Sequence, residues 1–326
     1  MIDIIRRLES RLKDFDMVII ETTGLADPAP VCQTFFVDEK VAEIARLDAV
    51  VTVVDARHII QHLDEVKPDG AENESVEQVA FADRILLNKI DLASEDELID
   101  IEKRIKAINA SAPILRANLK IKSCPMDFIL GINAFDLDKI LSFDPNFLQD
   151  VEHMHDQSVS SVGFQFEADL NIRKLNRMIS ELLREKGTDL LRYKGLLSVR
   201  GSKKKFVFQG VHMLFDGTFS DEHLWADGEK HLNKFIFIGK NLNRADIEAK
   251  FKECVVDENV KLRFSVGQEC FANTEDGWKP GKIVKLWDEG NAYRIKLKGG
   301  TTCVWAPEDD DLFVRVAENA KKKIKK

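Results

Sequence analysis

The chain has 326 residues, 44% of them hydrophobic and 32% charged, with a formal net charge of −8; this predicts two or three domains and excludes a disordered polymer. The acidic balance argues against a broad nucleic-acid or anionic-membrane surface, and no apolar run is long enough to span a bilayer. The five cysteines contain no C-x-x-C pair, so they read as reduced thiols of a cytoplasmic protein, not as a disulfide framework or zinc knuckle.

Ile4, Ile5, Leu8 and Leu12 fall on one face of an expected helix over residues 4–13. It leads into the apolar run at residues 17–20, read as a buried parallel strand that stops at Glu21-Thr22-Thr23-Gly24. Pro28 and Pro30 interrupt regular structure, and a helix is expected over residues 31–36. Residues 48–55 form the next expected strand, with Asp55 placed to cap the helix behind it. His58 and His62 lie four apart, a spacing suited to a metal, but no third ligand is near; two surface histidines are the preferred reading. A polar loop over residues 66–75 and a short helix over residues 76–82 then lead to a third strand ending in Leu86-Leu87-Asn88-Lys89-Ile90-Asp91.

That last run carries N-K-x-D, whose chemistry is selective. A carboxylate at Asp91 accepts two hydrogen bonds together from guanine, at N1–H and at the 2-amino group. Adenine presents an acceptor at that ring nitrogen and no 2-amino group, so it leaves the carboxylate unpaired. Asn88 reaches the purine edge and the neighbouring loop, while the Lys89 stem lies along the base. At the carboxyl end of a buried strand, this spacing points to a guanine-nucleotide site.

Ser94 and Glu97 spell a capping box for a helix running to Ile108. A short strand over residues 112–116 brings Asn118 to where a loop closes over the base. A helix over residues 130–141 and Asp144-Pro145 end the first domain. His153-Met154-His155-Asp156 follows, and its imidazole and carboxylate ligands suit Zn²⁺; transient metal contact and a plain hydrophilic linker stand as equal readings. Next come a strand over residues 159–168, a helix over 170–186, strands over 190–200, 204–215 and 234–240, and a helix over 244–254. Together they predict a small α+β domain with one helical layer, in which His212 reads as a core histidine. From Val266 onward, short strands turn at Glu275-Asp276-Gly277, Asp288-Glu289-Gly290 and Gly299-Gly300, as in a small Tudor-like β-barrel. Trp278, Trp287, Tyr293 and Trp305 are an aromatic cage or simply its core, the core being preferred. The barrel is expected to contact a protein ligand.

Glu21-Thr22-Thr23-Gly24-Leu25-Ala26-Asp27-Pro28-Ala29-Pro30-Val31 and Leu87-Asn88-Lys89-Ile90-Asp91 resemble the CobW-type family of P-loop GTPases, which are metal-insertion proteins and zinc chaperones. Val159-Ser160-Ser161-Val162-Gly163-Phe164 and the run from Lys204 to His212 resemble that family's C-terminal domain. The resemblance covers residues 1–256. It implies an α/β fold: an incomplete P-loop GTPase parallel sheet with flanking helices over residues 1–150, and a linker over 151–158. A small α+β domain over 159–256, the barrel over 262–316 and a basic tail over 317–326 complete the expected organisation. The family implies GTP, Mg²⁺ and Zn²⁺ as cofactors, with Glu21 holding Mg²⁺ through water and Gly24 bringing its N–H to the γ-phosphate. Activity by resemblance is GTP hydrolysis coupled to zinc delivery to a client metalloprotein similar to methionine aminopeptidase. The alternative is a non-catalytic adaptor acting through its C-terminal domain and barrel. No G-x-x-x-x-G-K-[ST] loop occurs in the chain, nor the family's C-x-C-C metal motif. A parallel sheet lacking its first strand exposes edges, so an incomplete chain is expected over a degenerate paralogue.

Overall fold

The run Ile85-Leu86-Leu87 is buried on both faces, as a central parallel strand must be. This is β2 (Arg84–Asn88), flanked in parallel by β1 (Val51–Asp55) and β3 (Ile114–Arg116). The computed structural model describes residues 5, 11, 14–24, 26–67, 73–135, 159–257 and 260–316. Two short helices, α1 (Ala29–Val37) and α2 (Glu39–Ile44), precede β1. The β1–β2 crossover carries α3 (Ile59–Leu63) and α4 (Glu74–Phe81); the β2–β3 crossover is α5 (Glu95–Ile108). The capping box opens α5 as expected. Ser94 Oγ accepts the Glu97 N–H, and the Glu97 carboxylate accepts the Ser94 N–H at 2.7 Å. Leu98, Ile101, Ile105 and Ile108 then face the sheet.

Two expectations need correction here. Residues 17–20 form no strand: Met17, Val18, Ile19 and Ile20 are 41–78% exposed. A strand exists through its partner's hydrogen bonds, and among the described residues none lies on the outer edge of β1. Of the helix expected over residues 130–141, the described residues 130–135 are irregular chain behind the single turn α6 (Met126–Ile129). Pro125 sets its start, and Gly131 with positive φ follows its end. The remainder of that segment, and nearly all of residues 4–13, lie outside the described residues.

The second half builds an antiparallel sheet in the order β4-β8-β5-β6-β7. Its elements are β4 (Val159–Glu167), α7 (Ile172–Lys186), β5 (Leu190–Leu197), β6 (Lys204–Val211), β7 (Leu214–Leu224), β8 (Leu232–Lys240) and α8 (Arg244–Lys252). The strand expected over residues 204–215 breaks at His212, whose φ of 51° makes a tight turn with Met213. His212 is therefore a turn residue, with its ring against Phe81. On one face, Phe164, Tyr193, Phe208, Phe235 and Phe237 pack against Leu175, Ile179, Leu182 and Phe251 of the helical layer. The other face is buried too. Val159, Leu191, Val211, Ile236 and Ile238 share one core with Val79, Phe81, Ile105 and Ile108 of α4 and α5. The two domains thus join through the helices that bracket β2.

The barrel consists of β9 (Glu269–Thr274), β10 (Gly277–Asp288), β11 (Asn291–Leu297), β12 (Cys303–Ala306) and β13 (Val314–Val316), ordered β12-β11-β10-β9-β13. Its β10–β11 tip rests on the second domain: the Glu289 N–H donates to Gly201 O at 3.2 Å, and Arg173 covers Phe313. Gly201 is required there, since a Cβ would lie 2.1 Å from Trp287 O. Tyr293 is fully buried core. Trp287 also packs against that core, with Arg200 over its ring, whereas Trp278 and Trp305 lie beneath Arg315 and Arg294, so the four aromatics form no common cage.

Candidate functional site

The carboxyl ends of β1, β2 and β3 converge, the position where open parallel sheets bind ligands. Beyond Asn88 the chain turns through Lys89 at φ 60°, ψ 36°, then makes one 3-10 turn at Ile90–Leu92. A lysine in the left-handed region costs on the order of 1 kcal/mol, so the surroundings must hold it there. The Ala56 N–H, behind β1, donates to Asn88 O at 2.9 Å. The Leu119 N–H, behind β3, donates to Asn88 Oδ1 at 2.9 Å. This bond fixes the amide orientation and leaves the Asn88 NH₂ as a donor. The Lys89 ammonium donates to Asp55 Oδ2 at 2.7 Å.

Asp91 lies two residues beyond Lys89, exposed, and its carboxylate accepts no hydrogen bond from any described residue. Two free carboxylate oxygens beside a pinned Asn–Lys pair match the double-donor edge of guanine. The stretch containing Asn118 does close on the site, but through the Leu119 backbone.

Asp55 does not cap the following helix: the N-cap of α3 is His58, with no side-chain cap bond. Its carboxylate organises the turn instead. Oδ1 accepts the Arg57 N–H at 2.8 Å, and Oδ2 accepts both Lys89 and His58 Nδ1, the latter at 3.1 Å. Partial burial works to raise the Asp55 pKa, but the bonds from Lys89, His58 and the Arg57 N–H outweigh it and lower it to about 2. Sequence reasoning placed Asp55 at a strand end but missed this role, because its position level with Asn88 is set by the pairing of β1 with β2.

Glu21 and Gly24 are exposed on the loop ahead of α1, and space around Gly24 is open. Gln78 of α4, which the sequence did not single out, ties this loop down, donating to Gly24 O at 3.1 Å and Ala26 O at 2.9 Å. The Gln78 carbonyl in turn accepts Thr52 Oγ1 of β1. His58 and His62 do not pair around a metal, as His58 faces Asp55 and His62 faces Glu65. Among the described residues no group of three His, Cys, Asp or Glu is arranged to hold a metal ion. His153, His155 and Asp156 lie outside the described residues. No described helix is long and apolar enough to cross a membrane.

Residues 1–116 match the CobW/HypB/UreG nucleotide-binding domain, and residues 159–255 match the cobalamin synthesis protein CobW C-terminal domain. The zinc chaperone YjiA of Escherichia coli is 32% identical over 252 residues, covering 77% of this chain and 74% of that protein. The zinc-regulated GTPase metalloprotein activator 1 of Saccharomyces cerevisiae is 28% identical over 268 residues, and the match spans 61% of its length. A crystal structure of Zn(II)-bound YjiA GTPase from E. coli superposes with a TM-score of 0.64 at 30% identity, covering 78% of this chain and 76% of that one. Both domain matches occur in order, and the E. coli relative is 32% identical across 74% of its length; this chain belongs to the CobW family of nucleotide-binding proteins.

Proposed function

We propose that this protein is a guanine-nucleotide-controlled zinc chaperone that hands metal to a client metalloprotein, with a methionine aminopeptidase-like client as the finer expectation. One observation carries the nucleotide reading: Asp91 presents an unbonded carboxylate on a loop fixed from both neighbouring strands. Asp91 would accept N1–H and the 2-amino group, the Asn88 NH₂ would donate to the purine, and the Lys89 stem would cover its face. Glu21, exposed and unbonded by any described residue, suits a water-mediated hold on Mg²⁺, and Gly24, with open space where a Cβ would stand, would offer its backbone N–H to a phosphate. When bound, Mg²⁺ supplies charge neutralisation at the β- and γ-phosphates. The names of the E. coli and yeast relatives support zinc as cargo and a metalloprotein as recipient. Described residues alone supply no three-ligand zinc site, so no transfer step is assigned to them.

A second reading, the non-catalytic adaptor, is favoured by one fact: the chain contains no G-x-x-x-x-G-K-[ST]. Without that cradle these residues hold a base better than a triphosphate, and GTP hydrolysis by this 326-residue chain is expected to stay at background. Saturation-transfer NMR on the chain with GDP and ADP at millimolar concentration tests base selection directly. Transfer to GDP protons with little to ADP is expected. Equal transfer to the two nucleotides overturns the guanine reading.

A further inference from the structure

We infer that Asp55 is a positioning residue of the guanine site, holding Lys89 in the posture in which its stem can lie along a purine. The inference rests on the guanine reading above and adds a residue outside the N-K-x-D run.

Three observations carry it. Asp55 and Asn88 are register partners at the carboxyl ends of β1 and β2, so the carboxylate stands beside the loop by construction of the sheet. That carboxylate is itself oriented: the Arg57 N–H fixes Oδ1, which turns Oδ2 toward Lys89. Lys89 adopts left-handed backbone, with its side chain 51% exposed and anchored at the ammonium end by Asp55.

An exposed lysine stem has four rotatable bonds and samples many rotamers. Fixing its far end before a ligand arrives removes part of the ordering that binding would otherwise impose. The same exposure makes the pair a poor contributor to folding, because ion pairs open to solvent contribute little. A surface salt bridge that served stability alone would move neither base affinity nor selectivity. A positioning carboxylate should do the reverse, changing affinity while leaving the melting temperature nearly fixed. His58 shares Oδ2 but sits on the side of α3, so it braces the carboxylate without replacing Lys89.

The test titrates the 326-residue chain with GDP by ligand-observed NMR, in four forms: parent, Asp55→Asn, Lys89→Met and the double variant. Methionine keeps an unbranched stem and removes the ammonium. Asp55→Asn is expected to weaken GDP binding by about 2- to 10-fold, the range for one side chain no longer held in advance. In the Lys89→Met background the same substitution should have no further effect, and Asp55→Glu should recover part of the parent affinity. Unchanged GDP binding in Asp55→Asn overturns the inference while the guanine reading stands. Equal weakening in both backgrounds also overturns it, since Asp55 would then act on the strand end and not through Lys89. A parent chain that takes GDP no better than ADP overturns the guanine reading and this inference together.

Discussion

Asp55 and Asp83 stand at opposite ends of the same two parallel strands, and their surroundings could hardly differ more. Asp83, just ahead of β2, is buried with Arg192 and Lys194 of the second domain around it. Its other oxygen accepts the Val50 N–H at 2.9 Å. Arg192 also donates to Phe81 O, Lys194 donates to Ala134 O, and the Phe135 ring lies against both cations. Asp55 is only partly buried and shares one oxygen between two exposed partners. The amino ends of the strands therefore join the domains, with both Asp83 oxygens engaged. The carboxyl ends keep hydrogen-bonding capacity for something not part of the chain. The difference also places the helices around β2 in contact with the second domain, so a ligand at one end of β2 and a domain interface at the other share one strand.

The comparison breaks most sharply at Arg192. Replacing it with alanine leaves Asp83 buried beside a single ammonium, and removing one partner of a buried ion pair costs about 3–5 kcal/mol. Denaturant unfolding should show that loss, whereas Asp55→Asn should change stability by less than about 1 kcal/mol. Similar effects from the two would erase the distinction. The acid limb gives an independent check. Burial works to raise the Asp83 pKa, but the charges of Arg192 and then Lys194 outweigh it and hold it below the ordinary value of 3.8. A carboxyl whose pKa is lower folded than unfolded contributes stability that is complete above its unfolded value and lost as pH falls through the folded one. Stability should thus fall below about pH 4 in the parent, and less steeply in Arg192→Ala, whose Asp83 has lost its stronger cation.

The next effect belongs to the open end. In any form that binds guanine nucleotide, Asp91→Asn should weaken binding by about 2–4 kcal/mol, because a mismatched amide replaces an ionic double acceptor. Xanthine carries an acceptor in place of the 2-amino group, so the variant should shift preference toward xanthine nucleotides. Calorimetry that finds GTP affinity unchanged would remove Asp91 from base recognition.

Much of this was legible in the sequence where local chemistry decides the outcome. Ser94 and Glu97 announce the start of α5, and the barrel's turns fall at the glycines that mark them. The strand over residues 234–240 was expected, yet that both its faces are buried, Phe235 and Phe237 under the helical layer and Ile236 and Ile238 against the first domain, became visible only with the first domain in place. Residues 17–20 have the composition of a strand, but no neighbour among the described residues makes them one. The Asp83–Arg192–Lys194 cluster spans more than a hundred residues of sequence, a separation over which no periodicity or spacing rule operates. At the candidate site, the N-K-x-D motif singled out Asn88 and Asp91 as candidates, while the contacts of Gln78 and the Asp55–Lys89 pair form only once helix, loop and strands are packed together. Ser94→Ala measures the value of the legible part: loss of the cap should cost about 1 kcal/mol. Thermal unfolding indistinguishable from the parent would mean that packing of α5, not its cap, sets its stability.

The smallest effect on folding is expected at Asp156, with His153 and His155 beside it in the sequence. We propose that these three side chains make transient contact with Zn²⁺. The binding should be modest, because ordering backbone around a metal costs roughly 1–2 kcal/mol per residue. It should also fade as pH falls through about 6.5, where free imidazoles take up protons and cease to be ligands. Replacing both histidines with alanine should remove that pH-dependent component of zinc uptake, and the melting temperature should stay where it was. This sets the segment apart from Asp83, where loss of a partner is read in stability, and from Asp91, where it is read in base choice. Equal zinc uptake by the double variant and the parent between about pH 5 and 8, a range bracketing the imidazole pKa, would leave the segment a linker and send the search for a metal site elsewhere in the protein.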